Sequence, residues 1–272
     1  MFSLPLHLNN FFTYKEINFI GNELKNKNRI TFYNDQFFIK ASRHEDLESF
    51  KLMKHEIFVY NYLKNHLKII PPILWFYEDS SLSMFIMANL KDFPLATKRD
   101  AYCLNQSVNV NLIIEKIKTI SHIPIPTTWN VTDNRQEKIE RYIFNVQSFL
   151  QIPIKQKLTA LLKTIPANST FVFSHGDLLP MNIFYSKNDI TFIDWEWAGI
   201  RSKYYDKTLF LLFSNDPSQV ITRYSLMKET MIWDTLFLSL RELNNLNRVK
   251  HLPLFNKNIP KWIKALSVTL EL

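Results

Sequence analysis

Only three glycines occur in 272 residues, and two of them frame one short region. Gly176 lies in Ser174–Asn182, which reads SHGDLLPMN, and Gly199 closes Phe192–Gly199, which reads FIDWEWAG. Glycine accepts backbone angles that other residues resist, so a chain this poor in it has few places for an unusual path. Here that path runs around fixed polar groups: Asp177, Asn182, Asp194 and Glu196.

The residues between the two glycines suggest what the path serves. NIFYS and ITFIDW flank a Lys-Asn-Asp turn. If the turn centres on Asn188, alternation puts Asn182, Phe184, Phe192 and Asp194 on one face. Facing Cβ atoms lie about 4.5–5.5 Å apart, so an amide oxygen and a carboxylate there can share one hard cation. Magnesium suits those donors. Asp177 precedes Asn182 by five residues, and Pro180 discourages a continuous helix between them. A carboxylate beside such a cation can accept a proton from an attacking hydroxyl, the arrangement that phosphoryl transfer uses.

The N-terminal part supplies matching pieces. Runs of Ile and Phe between Glu16 and Ala41, split by NKN and Asn-Asp turns, read as three antiparallel strands. From His44 to Leu67, apolar residues recur at helical spacing until Pro71 and Pro72 stop the pattern. ILWFYED and SLSMFIMANL form a further hairpin. Lys40 ends the strand FFIK, and Glu56 sits on the helix that follows. This pairing lets a carboxylate hold an ammonium toward nucleotide phosphates. Beyond Lys91 helical periods dominate, at about 108–121, 135–151, 153–165 and from Tyr204 onward, with the strand FVFS leading into the glycine-framed region. The expected division is residues 1–90, a nucleotide-binding lobe, and 91–272, a catalytic and substrate-binding lobe.

Composition narrows the class. Apolar residues make up 46% of the chain and aromatics 14%, enough for a packed core and too much for disorder. The formal charge of +8 would suit a polyanion, yet the lysines are scattered without a basic run, so no nucleic-acid partner is expected. Cys103 is the lone cysteine, which excludes an internal disulfide and a multi-cysteine metal site. The N-terminus, MFSLPLHLNNFF, lacks the marks of a signal peptide, and the apolar stretch Met231–Leu240 is too short for a membrane span. A cytoplasmic location is the expectation; the sequence leaves oligomeric state undecided.

Taken together, HGDLLPMN, FIDWEWAG, the strand lysine of FFIK and the helical Glu56 resemble the aminoglycoside phosphotransferase and choline kinase superfamily over roughly residues 15–210. The resemblance implies an α+β, protein-kinase-like bilobal fold: an antiparallel sheet with one main helix, then a mostly helical lobe. It implies ATP and Mg2+ as cofactors and a small-molecule hydroxyl as acceptor, first an amino alcohol such as choline or ethanolamine, or thiamine. By the same resemblance Asp177 is the catalytic base, Asn182 and Asp194 are metal ligands, Lys40 with Glu56 orients ATP, and Met87 to Leu90, including Asn89, is the hinge against adenine. Two departures stand out. The phosphate-covering loop offers only Gly21 followed by NELKNKN, and after the acidic motif IRSKYYDK keeps Asp206 alone, expected to support the catalytic loop.

Each signal also has a plainer reading. Asp177 is a possible helix cap, Lys40 a possible edge-strand lysine and His175 a scaffold residue rather than a base. Trp195, Trp197, Tyr204, Tyr205 and Trp233 read as packing residues or as a rim for a cation. Glu196 faces either a substrate cation or a neighbouring base. The functional alternatives are an aminoglycoside-type phosphotransferase and a catalytically inactive, kinase-like basic binding protein. A protein kinase fits less well, because the catalytic loop lacks the usual arginine and Asp194 precedes Trp-Glu instead of Phe-Gly.

Overall fold

The computed structural model describes residues 18–20, 29–90, 93–96, 109–131, 134–163, 170–186, 189–214, 216–224, 229–249 and 253–271. Gly21, Cys103 and the turn residue Asn188 lie outside them. In chain order the elements are β1 (Asn18–Ile20), β2 (Arg29–Tyr33), β3 (Phe37–Arg43), α1 (Leu47–Leu63), β4 (Ile73–Glu78), β5 (Leu82–Ala88) and β6 (Phe93–Pro94). Then come α2 (Val110–Ile120), α3 (Arg135–Val146), α4 (Ile152–Leu162), β7 (Phe171–Ser174), β8 (Ile183–Ser186), β9 (Asp189–Phe192) and β10 (Gly199–Ser202). Helices α5 (Tyr205–Ser214), α6 (Pro217–Arg223), α7 (Glu229–Arg248) and α8 (Pro253–Glu271) complete the order.

Two compact units result. One takes the chain up to Phe93 together with Phe184–Ala198; the other takes Pro94–Ile183 and Gly199 onward. The return of Phe184–Ala198 to the first unit has local causes. Phe192 N–H donates to the Ile69 carbonyl at 2.8 Å, and His55 Nε2 on α1 donates to the Ala198 carbonyl at 2.8 Å.

The first unit is built on an antiparallel sheet of order β1-β2-β3-β5-β4. Its register pairs Ile39 with Ile86, Lys40 with Phe85 and Ala41 with Met84. Alternation then sorts the side chains: Ile39, Ala41, Leu82, Met84 and Ile86 form a core cluster against Phe37, Trp75 and Tyr77. Lys40 and Phe85 point to the other face, where α1 packs, with Tyr60 and Phe85 ring centroids 5.4 Å apart. Asp46 caps α1 by accepting from Ser49 N–H, and Phe50, Met53, Ile57, Tyr60 and Leu63 are buried on its inner stripe. Glu56 interrupts that apolar stripe and is buried with it.

The second unit is mainly helical. Helices α7 and α8 pack together, with α3 against α7 and α6 against α8. Trp262 on α8 is fully buried and meets Phe213 of α5 at 5.1 Å between ring centroids. The Met231–Leu240 stretch lies inside α7, where buried Asp234 accepts from the Ser202 hydroxyl. No helix among the described residues is long and apolar enough to cross a membrane. Strand β10, which the sequence does not announce, pairs antiparallel with β7, setting Gly199 opposite Ser174 and Ser202 opposite Phe171.

Replacing Trp262 with alanine removes the largest side chain at the α5–α8 contact, and the expected loss is about 3–5 kcal/mol of folding stability, read by urea denaturation. An unchanged midpoint would show that this contact does not hold the helical unit.

Candidate active site

In the first unit, three carboxylates converge on one ammonium. Lys40 Nζ lies 2.6 Å from Asp194 Oδ1, 2.7 Å from Glu56 Oε2 and 3.2 Å from Glu196 Oε2. An ammonium has three hydrogens, so each carboxylate takes one. The count of charges is one positive against three negative, a local deficit of two when all are ionised. Burial works to lower the Lys40 pKa, but Asp194, Glu56 and Glu196 outweigh it and hold the group charged well above its ordinary range.

The excess negative charge shows at Glu56. Burial, helped by Asp194 and Glu196 and opposed by Lys40, pushes its carboxyl up to about 7. Its second oxygen, Oε1, is buried without a hydrogen-bond partner. Oxygen atoms of Glu56, Asp194 and Glu196 all lie within 4.8 Å of one another. A set of hard oxygen donors with an orphaned buried oxygen and a deficit of two charges suits a divalent cation such as magnesium.

Asp194 reaches Lys40 by an unusual backbone. It adopts φ 66°, ψ 59°, the sole left-handed non-glycine among the described residues. Aspartate tolerates this region better than most residues, yet the strain is still about 1–2 kcal/mol. The conformation ends β9 and starts the 3-10 turn Trp195–Trp197, which brings Glu196 back onto Lys40. Trp195 is fully buried, its indole N–H donating to the Phe192 carbonyl at 3.1 Å, whereas Trp197 is exposed. Trp195 is therefore a packing residue, and so is buried Trp233.

In the second unit, the segment after β7 is held from beneath by Asp206. One carboxylate oxygen accepts from His175 N–H at 2.8 Å; the other accepts from Ser174 Oγ at 2.9 Å and Gly176 N–H at 3.0 Å. His175 is fully buried, and its Nδ1 accepts from Asp177 N–H at 3.4 Å, a scaffold role. Gly176 has φ 81°, so a glycine is required there. Gly199 shows no such angle, but a Cβ on it would meet Arg201 Nη1 at 2.9 Å. Asn182 donates from Nδ2 to the Asp177 carbonyl at 2.8 Å, so that bond uses its amide nitrogen and not its amide oxygen.

The hairpin alternation expected to orient Asn182 and Asp194 does not reach them. Asn182 ends the 3-10 turn Pro180–Asn182 before β8, and Asp194 follows the end of β9. Turn geometry aims both side chains instead of the pleat. In the proposed hinge, Met87 is buried in β5, and Asn89 is bonded to the β2–β3 turn, through its N–H to Gln36 and its Nδ2 to the Asn34 carbonyl. Sequence reasoning missed Arg241, whose Nη1 donates to Tyr205 Oη at 2.7 Å, while Tyr205 Oη donates to the Gly176 carbonyl at 3.4 Å. Arg241 lies 64 residues beyond Asp177 in a helix without a motif, so no spacing signals it.

The family model for choline/ethanolamine kinase matches residues 42–215, spanning the α1 helix, both acidic turns and Asp206. The chain belongs to the choline/ethanolamine kinase family. It is a small-molecule phosphotransferase of α+β, protein-kinase-like fold. A search of curated proteins by sequence gives no match. Solved structures similar in fold include wild-type aminoglycoside 2'-phosphotransferase-IIIa in its GDP complex (17% identity, TM-score 0.63, covering 97% of this chain and 94% of that one). Choline kinase LicA from Streptococcus pneumoniae is similar at 14% identity and TM-score 0.61, covering 98% and 97%. The amicoumacin kinase hAmiN, in complex with AMP-PNP, Ca2+ and Ami, is similar at 12% identity and TM-score 0.59, covering 94% and 89%.

Two outcomes follow for this kinase-family site. The raised Glu56 pKa means its contribution to stability is complete below about 4.5 and is lost as pH rises through about 7. Melting temperatures measured without divalent cation from about pH 5 to about pH 8 should fall more steeply in the wild type than in Glu56→Gln; matching slopes would refute the assignment. Asp206→Ala removes three hydrogen bonds to a buried carboxyl group, and a loss of roughly 3 kcal/mol or more is expected in denaturant unfolding. A neutral result would mean the segment holds its shape without Asp206.

Proposed function

We propose that this family member transfers the γ-phosphoryl group of ATP to a hydroxyl of a small molecule, with an amino alcohol such as choline or ethanolamine, or thiamine, as the first acceptor class. The observation that carries this reading is the Lys40 ammonium held by Glu56 and Asp194 at salt-bridge distance. A buried lysine fixed by a helix glutamate is the means by which kinase-type sites orient nucleotide phosphates. Support also comes from the nucleotides named with two structures of similar fold, GDP and AMP-PNP, the latter with Ca2+.

The roles proposed follow from the chemistry of each group. Met87 to Leu90, with Asn89, offers backbone against the adenine. Lys40 offsets the charge of the nucleotide phosphates, and Glu56 fixes its direction. Asp194 and Asn182 supply a carboxylate and an amide oxygen to Mg2+, which when bound neutralises phosphate charge that grows in the transition state. Asp177 accepts the acceptor's hydroxyl proton as its oxygen forms a bond to the γ-phosphorus. The bond from that phosphorus to the bridging oxygen breaks, and ADP leaves with the electron pair.

Purified protein with ATP, Mg2+ and a panel of choline, ethanolamine, thiamine and an aminoglycoside tests the proposal directly. One acceptor should be phosphorylated, and Asp177→Ala should lower kcat by about 10²–10⁴-fold while nucleotide binding survives. Turnover unaffected by Asp177→Ala would remove the aspartate from the role of base, and failure to bind nucleotide would remove the kinase reading altogether.

A further inference from the structure

Phosphoryl transfer as proposed gives no task to Arg241, a partly buried charge on α7 whose side chain keeps 16% of its surface open. Burying a guanidinium is costly unless its hydrogens are met. Nη1 is met by Tyr205 Oη, yet Nε and Nη2 are buried without a hydrogen-bond partner. The nearest carboxylate to Nη2 is Glu242 Oε1 at 4.0 Å, and that oxygen already accepts from Asn245 Nδ2 at 3.1 Å. Nε and Nη2 form the side-on fork of the guanidinium, the edge whose two parallel N–H bonds match an oxyanion.

The place of this fork gives it meaning. Tyr205 links Arg241 to the Gly176 carbonyl, one residue before the proposed base Asp177. Burial acts to lower the Arg241 pKa, and Tyr205, Glu242 and Asp177 outweigh it, so the group stays charged beside the base. A second guanidinium, Arg201, sits 5.7 Å over the Tyr205 ring. One ring of the candidate aromatic rim is thus already covered by a cation. The hydrogen bonds of Asp206 go to Ser174–Gly176.

We propose that Arg241 determines acceptor specificity: the hydroxyl compound carries an oxyanion, a carboxylate or a phosphate, that pairs with the Nε–Nη2 edge. This rests on the kinase reading with Asp177 as base but replaces its first acceptor class, setting amino alcohols that also bear an acidic group, and hydroxy acids, in place of choline, ethanolamine and thiamine. The edge is shielded from water, so the pair forms in a desolvated setting where it is strong, after small side-chain adjustment on binding.

The test compares matched acceptors: ethanolamine with L-serine, and glycerol with glycerate and with glycerol 3-phosphate, in the wild type, Arg241→Met and Arg241→Lys. The anionic member of each set should be preferred by about tenfold or more in kcat/KM. Arg241→Met should abolish that preference, chiefly through KM, and Arg241→Lys should restore part of it. Serine and glycerate point to the carboxylate, glycerol 3-phosphate to the phosphate. Preference for ethanolamine or glycerol, or a preference that survives Arg241→Met, overturns the proposal. If no compound is phosphorylated, calorimetric binding of glycerate and inorganic phosphate decides: binding lost in Arg241→Met supports it, and no binding overturns it. Mg-ATP binding, measured separately, reports on the kinase reading alone. Melting curves identify a variant that does not fold, in which case Arg241→Lys carries the comparison.

Discussion

One ammonium facing three carboxylates sets the character of the first unit. Lys40 reaches Glu56, Asp194 and Glu196 because strand alternation turns it away from the Ile39–Ala41 core and toward α1. The same alternation that builds the sheet therefore delivers the charge. Glu56 breaks the apolar stripe of α1 at the position where the helix crosses Lys40, and Asp194 comes from a strand bonded to the Ile69 carbonyl only two residues earlier, at Phe192. A buried cluster with more acid than base is unfavourable by itself. Its cost is reasonable where a divalent cation is to be received, since two positive charges offset the excess of two.

The second unit uses a different device. Here a single carboxylate, Asp206 at the start of α5, accepts from three successive residues, Ser174 to Gly176, and so fixes the chain just before Asp177. Left-handed Gly176 turns that chain, and Asn182 closes the segment by donating to the Asp177 carbonyl. Strain and hydrogen bonding thus concentrate where the proposed chemistry lies, in keeping with the tendency of functional sites to hold unusual backbone.

Much of this was legible in the sequence, for physical reasons. The β2–β3 and β4–β5 hairpins and α1 declare themselves by changes of period, and the Lys40–Glu56 pair follows from a strand lysine and a glutamate on the next helix, although Lys40 lies in the middle of β3, which runs on to Arg43, and does not end it. Gly176 was legible because its φ of 81° admits little else. Gly199 misled in part: it lies in β10 with no positive φ, close to the Arg201 side chain. Strand β10 itself was hidden because its pairing with β7 is non-local and GIRS lacks alternation. Hairpin alternation sets Asn182 and Asp194 on one face, whereas 3-10 turns orient them, and turn conformation is poorly encoded in a two-residue period. Arg241 was hidden for the simplest reason: its neighbours are brought to it by helix packing alone.

The most direct measurement is Mn2+ binding in the presence of ADP, followed by electron paramagnetic resonance, in the wild type, Asp194→Asn and a surface control, Glu78→Gln. If the carboxylate excess around Lys40 serves to receive a nucleotide-bound cation, Asp194→Asn weakens Mn2+ binding by about tenfold or more and Glu78→Gln leaves it unchanged. Equal affinity in the wild type and Asp194→Asn would contradict the account.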